Sequence, residues 1–291
     1  MGGKSGIRRA IMKVVRHQVR RIIRPIINRE PNFPAKYIAY REEESDYTIA
    51  KPSRNATGDL PVPPQKLWVA VGPGGYGRTD EDYLSLGQKQ VATIHDLLAR
   101  VGGRLPAEGR VLDFGCASGR LIRWFSDQAR SGEVWGVDIS AEHIVWCQQN
   151  LSPPFHFCTT TTAPHLPFED RYFDLIYAGS VFTHIDELAD AWFLELRRLL
   201  RPGGFVFVTV NDKHSLEIIR QNPDFNLAKR LAEAAPRLRL DEIDFHSVTI
   251  NRSYTIYDRD SLVAKLSRWF DVMAVEPEAY GFQTGILLKR V

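Results

Sequence analysis

A short apolar strand that runs into a glycine turn and out into a helix fixes the architecture open to this chain. From Arg110 the sequence reads RVLDFGCASGRLIRWF: residues 111–114 are strand-like, residues 115–119 form a turn, and Leu121, Ile122 and Phe125 line one face of a helix. Glycines at 115 and 119 accept backbone torsions and a close approach that a side chain obstructs, while Ala117 and Ser118 keep the turn small, so something is expected to lie against this backbone. Residues 133–138, EVWGVD, make a second strand that ends in an acid about 20 residues beyond the turn. Strand, helix, strand in this order is a parallel βαβ unit, the seed of a doubly wound α/β sheet.

In nucleotide-binding sheets of this kind an acid at the second strand's end accepts hydrogen bonds from ribose hydroxyls, and Asp138 fits that role. Dinucleotide phosphates need G-x-G-x-x-G at a helix N-terminus; here the spacing is G-C-A-S-G, followed by Arg120, with no third glycine in place. NAD is therefore disfavoured. Asp113, two residues before the first glycine, repels a phosphate and suits an ammonium group. The predicted ligand is a nucleoside that bears an amino group.

This stretch resembles the first motif of the class I S-adenosylmethionine-dependent methyltransferases, commonly D-x-G-x-G-x-G at the end of strand one. Here it stands as DFGCASG from Asp113 to Gly119, with Ala117 in place of the middle glycine at a cost of one methyl group of clearance. Residues 166–185, LPFEDRYFDLIYAGSVFTHI, are similar to the family's fourth-strand region, and residues 199–210, LLRPGGFVFVTV, to its fifth-strand entry, where Pro202, Gly203 and Gly204 turn from helix to strand. The resemblance covers roughly residues 80–210.

It implies a Rossmann-like doubly wound seven-stranded sheet with an antiparallel last strand, and S-adenosyl-L-methionine as cofactor. The cofactor residues it implies are Asp113, Gly115, Cys116, Ala117, Gly119, Asp138, Ile139 against the base, Thr161 and Ser180. Relatives often carry an acid or amide after strand three; here residues 155–158, FHFC, are followed by four threonines, so adenine recognition is expected to rest on backbone groups and Thr161.

Three segments organise the rest. Residues 1–29 carry nine Lys or Arg and no acid, so taking those nine positive charges from the chain's +3 leaves −6 for the remainder. Ile7, Ile11, Val15, Val19, Ile22 and Ile26 recur at steps of three and four, which predicts a basic amphipathic helix over residues 7–27, kinked or ended near Pro25. Such a helix suits an anionic membrane surface, with a partner-docking helix, a targeting segment and a nucleic-acid arm as alternatives. Residues 30–79, dense in Pro and Gly, read as an irregular linker or lid. Residues 80–291 form the α/β domain, beginning with a helix before Gly102 and carrying an acceptor-side insertion at about 213–257 with a charged helical stretch (227–235) and a β-like run (245–257). A helix over 259–269, a strand over 270–275 and a final strand over 285–290 close the chain.

The acidic body argues against a general nucleic-acid channel, and no specific nucleic-acid partner is expected. At 291 residues the chain is long enough to bury a core without metal or disulfide support, and no zinc site is proposed. Cys116, Cys147 and Cys158, an odd number without C-x-x-C spacing, fit reduced thiols in a cytosol-like compartment. No apolar run of about 18 residues occurs, so a cytoplasmic, soluble or peripheral protein is expected.

Methyl transfer from a sulfonium is an in-line displacement, so the protein's main tasks are to align the acceptor and exclude water. For a hydroxyl acceptor a base is useful, and His184, just past strand four, is the candidate; its alternative is to orient the turn before the helix from about 187. Asn211, Asp212 and His214 either read the acceptor or cap the next helix. Trp124, Trp146, Trp192 and Trp269 are assigned to core packing. The expected activity is methylation, preferably on oxygen, of a small molecule, lipid or glycan; the alternative is a cofactor-binding module without turnover, tethered by its basic arm.

Overall fold

In the computed structural model, residues 60–68, 79–222, 228–229, 247–250 and 254–291 are described. The basic segment 7–27 and most of the charged stretch 227–235 lie outside them. All described residues belong to one compact unit, Tyr37–Val291.

The first long helix, α1 (Asp80–Arg100), starts where the sequence reading places it. Thr79 accepts from the Asp82 amide and the Asp82 carboxylate accepts from the Thr79 amide, a reciprocal cap on two otherwise orphaned donors. Then follow β1 (Arg110–Phe114), α2 (Ser126–Ser131), β2 (Glu133–Asp138), α3 (Ala141–Asn150), β3 (His156–Thr159), β4 (Phe173–Ala178), α4 (Ala189–Leu199) and β5 (Leu200–Val210). After these come α5 (Lys213–Gln221), β6 (Ser247–Ile250), β7 (Tyr254–Tyr257), α6 (Arg259–Leu266), β8 (Asp271–Tyr280) and β9 (Gln283–Lys289).

Seven strands form one sheet in the order β3-β2-β1-β4-β5-β9-β8. β1 to β5 pair in parallel and β9 is antiparallel to both β5 and β8, the Rossmann-like arrangement expected. Strand order reverses at β1, which pairs with β2 on one side and β4 on the other, so the carboxyl ends of β1 and β4 flank the crevice where such sheets hold ligands.

Each sheet face is sealed by its own apolar layer, as strand alternation requires. Val111, Leu175 and Phe207 face Ile94, Leu97, Ile122 and Ile144, whereas Leu112, Ile176 and Val208 face Trp192, Phe193, Leu196 and Leu262. Burying one such side chain fully is worth about 1.5–3 kcal/mol, so these layers dominate the stability of the unit. Trp146 and Trp192 are buried within these clusters, and Trp124 and Trp269 pack against them.

Two local departures from the sequence reading have physical causes. The helix after the glycine turn opens as a 3-10 turn, Ile122–Phe125, before α2. Arg123 Nε donates to the Gly119 carbonyl and Ser126 Oγ to the Arg123 carbonyl, so side chains occupy acceptors that α-helical amides use. The Pro202-Gly203-Gly204 turn lies inside β5: pairing jumps from Phe173–Leu200 to Leu175–Phe205, and Gly203, at φ 79°, donates its amide to the Arg290 carbonyl in the resulting bulge.

Candidate active site

The candidate cofactor residues stand at, or just beyond, the carboxyl ends of β1 to β4. Gly115, Ala117, Asp138, Ile139, Thr161 and Ser180 are half-buried along that edge, while Asp113, Cys116 and Gly119 are buried beneath it. The topology thus brings these residues together along one edge of the sheet.

Asp138 ties the row together. Its Oδ2 accepts the Ala117 amide at 2.8 Å and its Oδ1 the Ser140 amide at 2.7 Å, while its carbonyl accepts the Thr160 amide at 2.9 Å. Each carboxylate oxygen keeps a lone pair for a further donor, the property a ribose contact needs. The amides of Gly115 and Cys116 both donate to the Val137 carbonyl, at 2.8 and 3.0 Å, which holds the turn against β2. Thr161 Oγ1 accepts the Ala163 amide at 3.2 Å.

At both glycines the space a side chain needs is taken by protein. Gly119 has φ 80°, and a Cβ there would stand 2.4 Å from Leu151 Cδ1; Gly115 has φ 85°, and a Cβ there would stand 2.3 Å from Val181 Cγ2. Their missing side chains make room for protein packing. Ala117 also lies in the left-handed region, at φ 45°, so replacing the middle glycine costs backbone strain as well as the clearance of a methyl group.

Asp113 is 3% exposed, and its Oδ2 has no hydrogen-bond partner. Burial pushes its carboxyl up to about 8, against the opposing pull of the neighbouring Tyr177 hydroxyl and with a further push from Asp138. An unpaired buried oxygen carries a penalty that a ligand ammonium at this turn relieves, so these residues fit an amino-acid nucleoside. Burial also depresses the His143 imidazole, which lies near Asp138 and whose Nδ1 is buried and unpaired.

Ser180, at φ 60°, is held from the sheet. Its amide donates to Thr209 Oγ1 at 2.7 Å, Gln283 Nε2 donates to its hydroxyl, and Thr209 Oγ1 donates to Gln283 Oε1 at 2.6 Å. His184 ends the 3-10 turn Phe182–His184, is exposed, and sets its ring 5.7 Å from that of Tyr254. The hairpin of β6 and β7 reaches this edge, with the Tyr257 amide bonded to the Asn211 carbonyl and the Tyr257 hydroxyl to the Ile185 carbonyl.

Asp212 resolves toward capping: its Oδ1 accepts from the Ser215 amide, its Oδ2 from the Thr284 hydroxyl, and it is 1% exposed. His214 pairs with Glu278 at 2.9 Å. Asn211 donates weakly to the Thr255 carbonyl at 3.4 Å and leaves Oδ1 buried without a partner. Among the described residues, no cluster of three or more His, Cys, Asp or Glu side chains is placed to hold a metal ion.

Residues 112–208 match the model of the methyltransferase domain family. Over that segment the chain is similar to the class I S-adenosylmethionine-dependent methyltransferases. Over 146 residues it is 32% identical to a malonyl-[acyl-carrier protein] O-methyltransferase of Pseudescherichia vulneris, an alignment that covers 50% of this chain and 55% of that protein. It is 32% identical over 161 residues to a trans-aconitate 2-methyltransferase of Azoarcus sp., covering 53% of this chain and 60% of the relative. The chain thus spans little more than half the length of these curated relatives. A chain from a Haloferax volcanii complex containing the Trm112 methyltransferase activator has the same fold, with a TM-score of 0.51 at 15% identity, covering 72% of this chain and 94% of that one.

Several residues that brace this candidate site are absent from the sequence reading. Tyr83, Arg123, Thr209 and Gln283 reach the turn or Ser180 from four different elements, and no spacing rule links them. The prolines at 61, 63 and 64 lie in the stretch read as an irregular linker or lid, and they do not reveal what it packs on.

Proposed function

We propose that this chain binds S-adenosylmethionine at the 115–119 turn and transfers its methyl group to an oxygen of a small-molecule, lipid or glycan acceptor. The observation that carries the reading is the buried, unpaired Asp113 oxygen below a turn whose Ala117 amide is fixed by Asp138. Asp113 answers the amino group, Asp138 the ribose, Ile139 and Thr161 the base, and Gly115, Cys116, Ala117 and Gly119 shape the turn. Ser180, with its polar groups tied to Thr209 and Gln283, bounds the side from which the acceptor enters.

The bound cofactor supplies an activated methyl carbon, so the chain needs no nucleophile of its own. Its work is to hold the acceptor in line and keep water out, with the β6–β7 hairpin as the outer wall. His184 is the proposed base for a hydroxyl acceptor, taking the proton on its imidazole. Residues 80–291 form the catalytic domain, residues 213–257 shape the acceptor side, and the basic segment 7–27 brings the domain to an anionic membrane surface. No described helix is long and apolar enough to cross a membrane.

Calorimetry tests the cofactor step: S-adenosylhomocysteine is expected to give saturable heat and NAD none. Methyl release over a panel of hydroxyl and carboxyl acceptors then tests turnover. Absence of heat with S-adenosylhomocysteine at millimolar concentration ends the proposal, and binding without transfer to any acceptor reduces it to a binding module.

A further inference from the structure

Resting on the cofactor reading above, we infer that residues 60–68 form a strap that positions the cofactor turn, with Ser118 and Arg123 as its positioning residues, so that strap docking and cofactor binding favour each other. The turn is an unusual backbone: between Gly115 and Gly119, both at positive φ, Ala117 lies at φ 45°, and a left-handed alanine persists only where its surroundings hold it. Its outward groups are held from outside the ligand row. Tyr83 Oη donates to the Ser118 carbonyl at 3.3 Å, and Arg123 Nε donates to the Gly119 carbonyl at 3.1 Å.

The same groups grip the strap. Ser118 Oγ donates to the Leu67 carbonyl at 2.8 Å, Arg123 Nη2 to the Pro61 carbonyl at 2.7 Å, and Arg123 Nη1 to the Leu60 carbonyl at 3.4 Å. The Trp68 ring stacks on that of Tyr83 with centroids 5.2 Å apart, and Trp68 Nε1 donates to the Pro63 carbonyl at 2.8 Å. Prolines suit this role: they preset an extended backbone, bring no amide that needs a partner and offer carbonyls to a cation.

Arg123, 5% exposed, therefore spans turn and strap with one rigid fork. Ser118, at 1%, does so with one residue, donating to the strap from its hydroxyl while its carbonyl takes the Tyr83 bond. A turn shape that satisfies these bonds is also the shape that presents the Ala117 amide to Asp138. Whatever stabilises that shape at the ligand face stabilises strap docking by the same factor, and the reverse holds by linkage.

Hydrogen exchange on the full chain with and without saturating S-adenosylhomocysteine reads the linkage directly. Amides of residues 65–68 are expected to slow at least fivefold on binding. Trp68→Ala is expected to weaken S-adenosylhomocysteine about tenfold in calorimetry and to abolish the ligand-dependent slowing, and Trp68→Phe, which keeps the ring stack, to restore both. A role confined to stability would lower the melting temperature without making strap exchange respond to ligand. Unchanged strap exchange in wild-type protein that binds the ligand overturns the inference alone, as does Trp68→Ala affinity within twofold of wild type. The wild-type exchange needs no variant, so the inference stays refutable if Trp68→Ala does not fold. Wild-type protein that binds no S-adenosylhomocysteine overturns the cofactor reading as well.

Discussion

Asp138 Oδ2 accepts the backbone amide of Ala117 at 2.8 Å, a bond across 21 residues that joins the end of β2 to the middle of the glycine turn. With Oδ1 on the Ser140 amide, the carboxylate serves two N–H groups that an amide side chain cannot both satisfy. Asp138→Asn is expected to turn its NH2 toward one of them, costing about 1–3 kcal/mol of stability. Chemical denaturation measures that loss, and calorimetry should show S-adenosylhomocysteine affinity at least tenfold weaker. Unchanged affinity would remove Asp138 from the cofactor site.

Opposite effects are expected at neighbouring turn positions. Gly119→Ala places a methyl group against Leu151 at φ 80° and should destabilise by about 1–3 kcal/mol through strain and overpacking. Ala117→Gly relieves a left-handed alanine at φ 45° and should leave the fold equally or up to about 1 kcal/mol more stable. Thermal unfolding of the two variants checks both signs; stabilisation by Gly119→Ala would contradict the geometry.

The network behind Ser180 makes a third case. Gln283→Leu removes the donor to the Ser180 hydroxyl and the acceptor for the Thr209 hydroxyl, leaving two buried or half-buried polar groups short of a partner. A loss of about 1–3 kcal/mol is expected, with faster amide exchange at Ser180, whose φ of 60° is no longer braced from both sides. Exchange at Ser180 equal to wild type would show that Thr209 alone holds the loop.

What was legible in the sequence follows the range of the interactions involved. The strand ending at Phe114 and the acid at 138 rest on local alternation and turn chemistry, the seven-stranded sheet with its antiparallel last strand on the family resemblance, and they stand in the structure. The helical period from Asp80 is equally local, and α1 begins there. The packing around the glycines was not legible, because Leu151 and Val181, which occupy the space of their missing side chains, come from other elements. The same holds for Arg123: a buried arginine that serves three carbonyls has the same local spacing as one facing solvent.

Asp113 supplies the pH prediction. Its carboxyl, at about 8 in the folded chain against an ordinary 3.8, holds its proton more tightly when folded than when unfolded. Its contribution to stability is therefore fully present below pH 3.8 and is lost as pH rises through about 8. Asp113→Asn should flatten the fall in stability between pH 5 and pH 8 relative to wild type, measured by urea unfolding across that window. Ligand binding should reverse the protonation, because an ammonium beside the carboxyl favours its charged form. At pH 6.5, calorimetry with S-adenosylhomocysteine in buffers of different ionisation heat should report release of close to one proton, and Asp113→Asn should abolish it. Equal proton release in the variant would place the ligand's amino group elsewhere and leave the unpaired Asp113 oxygen unexplained by the cofactor.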